Sequence, residues 1–151
     1  VQDVLGCQFL GEQTNIHHNY AAWENHFNQN VILHRKGATS ALKGQKGIIP
    51  GSMGTPSYIV EGLGNPESFH SCSHGAGRKM GRMEASRILS MEECDKAMEG
   101  IVFGRWGQDR KGNIDFGEAP QAYKDIEDVI LAQLDLVTPI VKLHPLGVIK
   151  G

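Results

Sequence analysis

Residues 68–82 read SFHSCSHGAGRKMGR, which places a histidine directly before a turn of small residues. The histidine is His74, and the turn consists of Gly75, Ala76 and Gly77. Small residues let backbone N–H groups approach an anion, and a helix that starts after such a turn also favours negative charge. Three cations follow: Arg78, Lys79 and Arg82. The pattern predicts an anion site with His74 at its edge, where the imidazole acts as a base, a metal ligand or a nucleophile, or only caps the helix.

Working outward from this stretch, the chain alternates irregularly between helical and strand patterns. Helices are predicted within residues 18–27, 75–90, 91–100 and 122–137, and strands within residues 31–42, 48–62 and 140–151. Ser90 and Glu93 form a capping-box pattern, and Ile126, Val129, Ile130 and Leu134 share one face of the last helix. Since these segments do not follow a βαβ rhythm, we predict a mixed α+β fold.

Composition indicates one domain and few partner classes. The 151 residues are 40% hydrophobic and 21% charged, as in a soluble globular protein, and no apolar run is long enough for a membrane helix. Three scattered cysteines argue against a disulfide framework and favour the cytoplasm. The net charge is −2, but residues 30–87 carry eight Lys or Arg against three Glu. This basic region suits a phosphate-rich ligand or is simply a solvated face.

Residues 48–57, IIPGSMGTPS, place small and hydroxyl residues between two predicted strands. Gly51 and Gly54 permit close backbone approach, while Ser52 and Ser57 offer donors and acceptors to a base, sugar or phosphate. No Gly-Lys-Ser/Thr follows, so the loop is not a P-loop. The alternative is an ordinary connection between strands.

His17, His18 and Asn19 precede the first predicted helix. Imidazole can coordinate a metal, and Asn can cap a helix or bind a polar ligand. Adjacent side chains on an extended backbone point apart, so we expect at most one of the two histidines to face a given site. A single candidate ligand is a weak metal pattern, and a surface role for both is the alternative.

Several motifs together resemble the C-terminal part of the RtcB family of GTP-dependent RNA-splicing ligases. They are HHNYAAWENHF (17–27), HRKGATSA (34–41), IIPGSMGTPSYIVEGLGN (48–65), SFHSCSHGAGRKMGR (68–82) and VIKG (148–151). The resemblance covers about residues 16–151 and leans toward the bacterial branch. It implies largely antiparallel sheets flanked by helices, and it makes residues 1–151 a portion of a longer domain whose N-terminal part is absent.

The resemblance also implies roles for individual residues. His74 matches the histidine that becomes guanylylated. Positions that match guanylate or guanosine contacts are Gly75, Ala76, Gly77, Pro50, Gly51, Ser52, Met53, Ser57 and Asn19. His18 matches a manganese ligand that also touches the nucleotide, and Lys150 matches the lysine that contacts guanine.

The implied reaction joins an RNA 3′-phosphate or 2′,3′-cyclic phosphate end to a 5′-hydroxyl end through a histidyl-GMP intermediate. It requires GTP and Mn²⁺ and acts on tRNA halves or broken RNA in the cytoplasm, with no membrane partner. An activating protein partner is a further possibility, and the full-length protein is expected to be a monomer.

Two departures from the family pattern leave an alternative open. Residues 79–82 read Lys-Met-Gly-Arg where the family usually has a hydrophobic residue, Met, Ser and Arg. The other manganese ligands of the family lie in the N-terminal part, and Asp3 and Cys7 do not have the spacing of that motif. The alternative function is therefore a non-catalytic guanosine-nucleotide-binding remnant of the same fold.

Overall fold

The computed structural model describes residues 14–108 and 112–149, together with Val4, Gly6, Gln8 and Gly11. These residues form the predicted mixed α+β fold. The strands are β1 (Asn19–His26), β2 (Gln29–Lys36), β3 (Ala38–Ser40), β4 (Lys46–Ile49), β5 (Ser57–Gly62), β6 (Ser71–Ser73), β7 (Val102–Phe103), β8 (Gly107–Gln108), β9 (Ile114–Asp115), β10 (Val137–Leu143) and β11 (Gly147–Val148). The helices are α1 (Arg82–Ile88), α2 (Met91–Ala97) and α3 (Ile126–Leu131), with a 3₁₀ turn at Pro120–Ala122.

The strands of the described residues form several small sheets, most of them antiparallel. The largest has the order β10-β5-β4, with Val60 of β5 opposite both Pro139 and Gly47. Separate antiparallel pairs are β1-β2, β3-β6 and β8-β9, while β7 and β11 pair in parallel. Because β6 pairs with β3, the residue after β6 lies beside the turn that joins β2 to β3.

The helix predicted within residues 18–27 is wrong, because residues 19–26 form strand β1. Its side chains alternate between half-buried and exposed, and it pairs with β2 from Asn19 opposite Lys36 to His26 opposite Gln29. Phe27 and Asn28 both have positive φ, 52° and 62°, which closes a two-residue hairpin whose twist suits the strands. The apparent helical spacing was therefore a coincidence of aromatic residues, which also favour strands.

The main core lies between the inner face of the β10-β5-β4 sheet, strand β6 and helix α3. Its buried members are Ala41, Ile49, Tyr58, Val60, Cys72, Ala76, Ile126, Ile130 and Val137. The predicted amphipathic helix is confirmed at Ile126 and Ile130, but α3 ends at Leu131. Leu134 therefore lies beyond the helix and is 49% exposed instead of buried. A smaller cluster of Cys94, Phe116 and Ala119 lies beneath α2.

The helix starts agree with the sequence at α2 and differ at α1. Ser90 accepts a hydrogen bond from the Glu93 amide and Glu93 bonds back to Ser90, so the predicted capping box is confirmed. Helix α1 begins only at Arg82. The small-residue turn at residues 75–77 is thus not a helix N-terminus, and His74 does not cap α1. Any anion site there must come from the turn and its tertiary neighbours.

Two faces of the fold expose apolar side chains. On the outer face of the β10-β5-β4 sheet, Ile48 is 41% and Val141 is 42% exposed, and on the β1-β2 hairpin Trp23 is 73% exposed. Among the described residues, no helix is long and apolar enough to cross a membrane.

We expect the 151-residue chain to self-associate through these faces, because exposed contiguous apolar surface favours association in water. Val141→Lys should shift the sedimentation profile toward monomer, because it replaces exposed apolar surface of this face with a charge. Thr138→Lys is the matched control, since it adds the same charge on the same strand without removing apolar surface. Equal shifts for both variants would show that net charge, and not the apolar face, controls association.

Candidate functional site

His74 lies at the end of a short strand that a second short strand holds in place. Ser73 pairs with Ala38 in the β3-β6 ladder, and the His74 amide donates to the Gly37 carbonyl over 3.4 Å. Gly37 has φ +75°, and a Cβ there would lie 3.8 Å from His74 Nδ1. Nδ1 is buried and has no hydrogen-bond partner among the described residues. One edge of the imidazole therefore faces the β2-β3 turn.

The imidazole of His18 stacks on that of His74. The ring centroids are 5.5 Å apart and the rings are 13° from parallel. The ring of His17 instead meets Tyr20 edge-on at 6.0 Å. As the sequence analysis expected, only one of these adjacent histidines faces the site.

Two clefts meet at His74 and Pro50. The first, which we call the histidine cleft, has a volume of about 300 Å³ and is lined by Ile16, His18, Thr39, Ile48, Pro50 and His74. The second, the glycine cleft, has a volume of about 470 Å³ and is lined by Pro50, Gly51, His74, Gly75, Ala76, Gly77, Arg78 and Tyr123. His74 therefore borders one cleft that holds a second imidazole and another whose wall is mostly backbone.

The two small-residue motifs are joined directly. The Ala76 amide donates to the Pro50 carbonyl over 2.9 Å, and a Cβ on Gly75 would lie 3.1 Å from that same oxygen. A Cβ on Gly51 would lie 2.2 Å from the Pro56 carbonyl oxygen, closer than atoms can approach. Gly77 has φ +72°, which glycine adopts without strain. Packing therefore excludes a side chain at Gly51 and crowds one at Gly75, whereas at Gly77 the backbone conformation favours glycine.

Arg78 supplies a cation to the glycine cleft. Its guanidinium lies 4.9 Å from the centre of the Tyr123 ring, and Nη1 donates to the Tyr123 hydroxyl over 3.2 Å and forms an ion pair with Glu118. Nη2 is buried and has no hydrogen-bond partner among the described residues. Burial, and then the hydrogen bond that Tyr123 donates to Glu118, raise the pKa of Tyr123, so this hydroxyl is uncharged at neutral pH. Arg78 thus brings a guanidinium charge to the wall of the same cleft that His74 lines, which suits an anionic ligand.

Comparisons with known proteins match this chain to one family. The model of the family described as tRNA-splicing ligase RtcB matches residues 2–151. The chain is 49% identical over 140 residues to the RNA-splicing ligase RtcB of Escherichia coli strain K12, covering 93% of this chain and 33% of that relative.

The chain belongs to the RtcB family. Further relatives are the RNA-splicing ligase RtcB of Mycobacterium tuberculosis, 39% identical over 158 residues, and the tRNA-splicing ligase RtcB of Methanococcus maripaludis, 38% identical over 157 residues. These alignments cover 90% and 89% of this chain but only 35% and 32% of the relatives. The chain therefore spans about a third of the length of the curated RtcB relatives that it matches.

The structure brings together part of the residue set implied by the RtcB resemblance. His18, Pro50, Gly51 and the turn at residues 75–77 all lie beside His74. Four others do not line either cleft: Asn19, Ser52, Met53 and Ser57. The Ser52 hydroxyl bonds Thr55 Oγ1 at 2.8 Å within its own loop, and Ser57 begins β5 opposite Leu143. Lys150 lies outside the described residues.

Cys72 is not placed to act as a nucleophile with His74. It is only 5% exposed and belongs to the main core. Burial raises the pKa of its thiol to about 11, so the reactive thiolate is scarce at neutral pH.

The described residues do not complete a metal site for this RtcB chain. No group of three or more His, Cys, Asp or Glu side chains able to hold a metal occurs within them. His18 and His74 offer two imidazoles at most. Manganese prefers several oxygen and nitrogen ligands, so the described part of the chain does not fit a complete manganese centre.

Two buried side chains that support the site could not be identified from the sequence. Arg35, 2% exposed, donates to Glu24, to Tyr20, to the Ser71 hydroxyl at 2.9 Å and to the Phe69 carbonyl at 3.0 Å. Gln133, 5% exposed, bonds both the amide and the hydroxyl of Ser73. Both act on strand β6, which leads into His74. No local pattern marks them, since their partners are 36 and 60 residues away for Ser71 and Ser73.

Gly51→Ala should destabilise the chain by roughly 1–3 kcal/mol, because the new methyl group would overlap the Pro56 carbonyl and force the loop to move. Urea denaturation monitored by tryptophan fluorescence measures the change. Gly104→Ala is the control, since no described atom lies within 4 Å of its Cβ position. Equal stability of the two variants would contradict the close packing of the 50–56 loop.

Glu24 should make stability sensitive to acid. Hydrogen bonding by Arg35, together with that by His26, lowers the pKa of its carboxyl group from 4.5 to about 2 against the opposing effect of burial. The folded chain therefore binds this proton more weakly than the unfolded chain. Its contribution is complete above pH 4.5 and is lost as the pH falls from 4.5 toward 2.

Glu24→Gln should lower the free energy of unfolding at neutral pH and flatten its fall between pH 4.5 and 2. Urea titrations at a series of pH values test this. Glu99→Gln, an exposed position after α2, should leave the profile unchanged. A Glu24→Gln profile that matches that of the unsubstituted chain would rule out this ion pair as the source of acid sensitivity.

Proposed function

We propose that this chain forms the nucleotide-accepting part of an RNA ligase in which His74 is guanylylated by GTP. The observation that carries the proposal is the position of His74 between a glycine cleft with an unpaired guanidinium N–H and a second cleft that contains His18. The names of the RtcB relatives, RNA-splicing and tRNA-splicing ligases, support RNA as the substrate.

The first step is attack of His74 Nε2 on the α-phosphorus of GTP. A phosphorus–nitrogen bond forms while the bond to the bridging oxygen breaks, and pyrophosphate leaves with that electron pair. Burial of Nδ1 against the β2-β3 turn supports Nε2 as the attacking atom. This attack requires the imidazole proton on Nδ1, so that the Nε2 lone pair is free.

The glycine cleft suits the transferred phosphate. Residues 75–77 and Gly51 allow close approach of the backbone, and the Arg78 guanidinium in the cleft wall supplies positive charge near a phosphate oxygen. This cation is in place before reaction, so it stabilises charge that develops on the phosphoryl oxygens without reorganisation.

The later steps transfer and then release the guanylate. An oxygen of the RNA 3′-phosphate attacks the guanylate phosphorus, and His74 leaves as neutral imidazole. The 5′-hydroxyl of the second RNA end then attacks the activated 3′-phosphorus, and GMP leaves as the phosphodiester forms. A 2′,3′-cyclic phosphate end is first hydrolysed to the 3′-phosphate.

In this proposal the described residues provide only part of a manganese site. His18 would supply one imidazole ligand, and the remaining ligands would come from outside the described residues. The metal would supply charge stabilisation at phosphoryl oxygens. The proposed setting is the cytoplasm, and an activating protein partner is compatible with this scheme.

Labelling with [α-³²P]GTP and Mn²⁺ tests the nucleophile. The 151-residue chain is mixed with the part of the E. coli relative that the alignment does not cover, about two thirds of that protein. We expect an acid-labile label, as a phosphoramidate is, that His74→Ala abolishes. Cys72→Ala is the matched control and should retain the label, because Cys72 is buried and protonated.

Label that persists in His74→Ala would refute His74 as the nucleophile. Binding of GTP without any label, in the presence of the complementing part, would instead favour the non-catalytic guanosine-nucleotide-binding remnant.

A further inference from the structure

The strand that leads into His74 is too short to be rigid by itself. Strand β6 has three residues and pairs only with the three residues of β3 among the described strands. A ladder of this length makes few hydrogen bonds, and isolated two-stranded pairs are marginally stable in water. The direction of the His74 side chain must therefore depend on contacts from outside the ladder.

Gln133 makes such a contact at the end of β6 that adjoins His74. Its Nε2 donates to the Ser73 hydroxyl over 2.8 Å, and its Oε1 accepts from the Ser73 amide over 3.0 Å. One side chain thereby bonds both the backbone amide and the hydroxyl of the residue that precedes His74. Gln133 is 5% exposed, so water does not compete well for these bonds.

The backbone of Gln133 is itself held in the turn between α3 and β10. Its amide donates to the Ile130 carbonyl over 3.1 Å, and its carbonyl accepts from the amides of Leu136 and Val137. Ile130 and Val137 are buried in the main core. The amide group that contacts Ser73 is therefore anchored to the core on both sides along the chain.

We propose that Gln133 is a positioning residue that holds the His74 imidazole in line for attack on the nucleotide; this rests on the function proposed above. Arg35 does not do the same work, because its bonds reach Ser71 and Phe69 at the opposite end of β6. Loss of the Gln133 side chain leaves the amide and hydroxyl of Ser73 without their partner and frees the strand end next to His74.

Two variants and one control test this in the GTP-labelling assay. Gln133→Ala should lower the maximal rate of His74 labelling by roughly 10- to 100-fold, since small misplacements of a reacting group cost about this much. The GTP concentration that gives half the maximal rate should change by less than about 3-fold, because the cleft walls stay intact. Gln133→Glu should restore most of the rate, as a carboxylate can accept from both the Ser73 amide and its hydroxyl.

Gln45→Ala is the matched control. The Gln45 side chain also makes two hydrogen bonds, from the Ser40 hydroxyl at 2.8 Å and the Leu42 amide at 3.1 Å, but at the end of β3 remote from His74. We expect it to lose stability without a comparable loss of labelling rate. Equal rates for Gln133→Ala and Gln45→Ala, or failure of Gln133→Glu to restore the rate, would overturn the proposal.

Hydrogen exchange of the Ser73 amide, measured by NMR on the 151-residue chain, gives a result that does not depend on catalysis. Exchange should become at least about 10-fold faster in Gln133→Ala and remain unchanged in Gln45→Ala. Unchanged Ser73 exchange in Gln133→Ala overturns the positioning role even where the unsubstituted protein labels normally. If Ser73 exchange is faster in Gln133→Ala but the unsubstituted protein is never labelled by GTP, the proposed function is wrong while the Gln133–Ser73 contact stands.

Discussion

The buried guanidinium of Arg35 is the interaction on which the arrangement of this fold depends. It lies in β2, pairs with the Glu24 carboxylate of β1, and also donates to the Tyr20 hydroxyl, the Ser71 hydroxyl and the Phe69 carbonyl. A buried charge is tolerated only when it is paired and its remaining donors are satisfied. Arg35 meets that condition only while the β1-β2 hairpin and the segment before β6 stay together. Separating these two segments would leave buried guanidinium donors without partners, and this free-energy cost holds the segments together.

This linkage also explains an unusual backbone near the site. Phe69 and His70 have φ of 54° and 50°, a conformation that residues other than glycine adopt only where the surroundings hold them. Arg35 bonds the Phe69 carbonyl, and the His26 ring lies 5.1 Å from the rings of both Phe69 and His70. The tight turn delivers β6 against β3, and Gln133 then fixes its far end. His74 is therefore placed by buried polar contacts at both ends of a three-residue strand.

Local chemistry explains what the sequence could predict. The Ser90 capping box, the strand–loop–strand predicted within residues 48–62 and the small-residue turn after His74 each depend on neighbours a few positions away. The helix expected within residues 18–27 was wrong because β1 is decided by pairing with β2 and by the Phe27-Asn28 turn. Arg35 and Gln133 could not be recognised, since only the folded chain brings Ser71 and Ser73 to them. The structure places the His18 imidazole against that of His74, whereas Ser52 and Ser57 line neither cleft, and the roles that the resemblance implies for these residues stay predictions.

The two clefts that meet at His74 differ in how many of the ligand-binding groups they need are supplied by the described residues. The glycine cleft has its close-packed backbone, its cation and its aromatic support from Tyr123, all tied together by bonds within the chain. Among the lining residues of the histidine cleft, only His18 offers an imidazole ligand beside His74, and apolar side chains such as Ile16 and Ile48 form much of its wall. A phosphate can be held by backbone and one guanidinium, whereas a manganese ion needs several hard ligands. Under the proposed function, nucleotide acceptance and metal activation would therefore rest on different parts of this fold, and the contacts that hold the strand before His74 would serve the first of them.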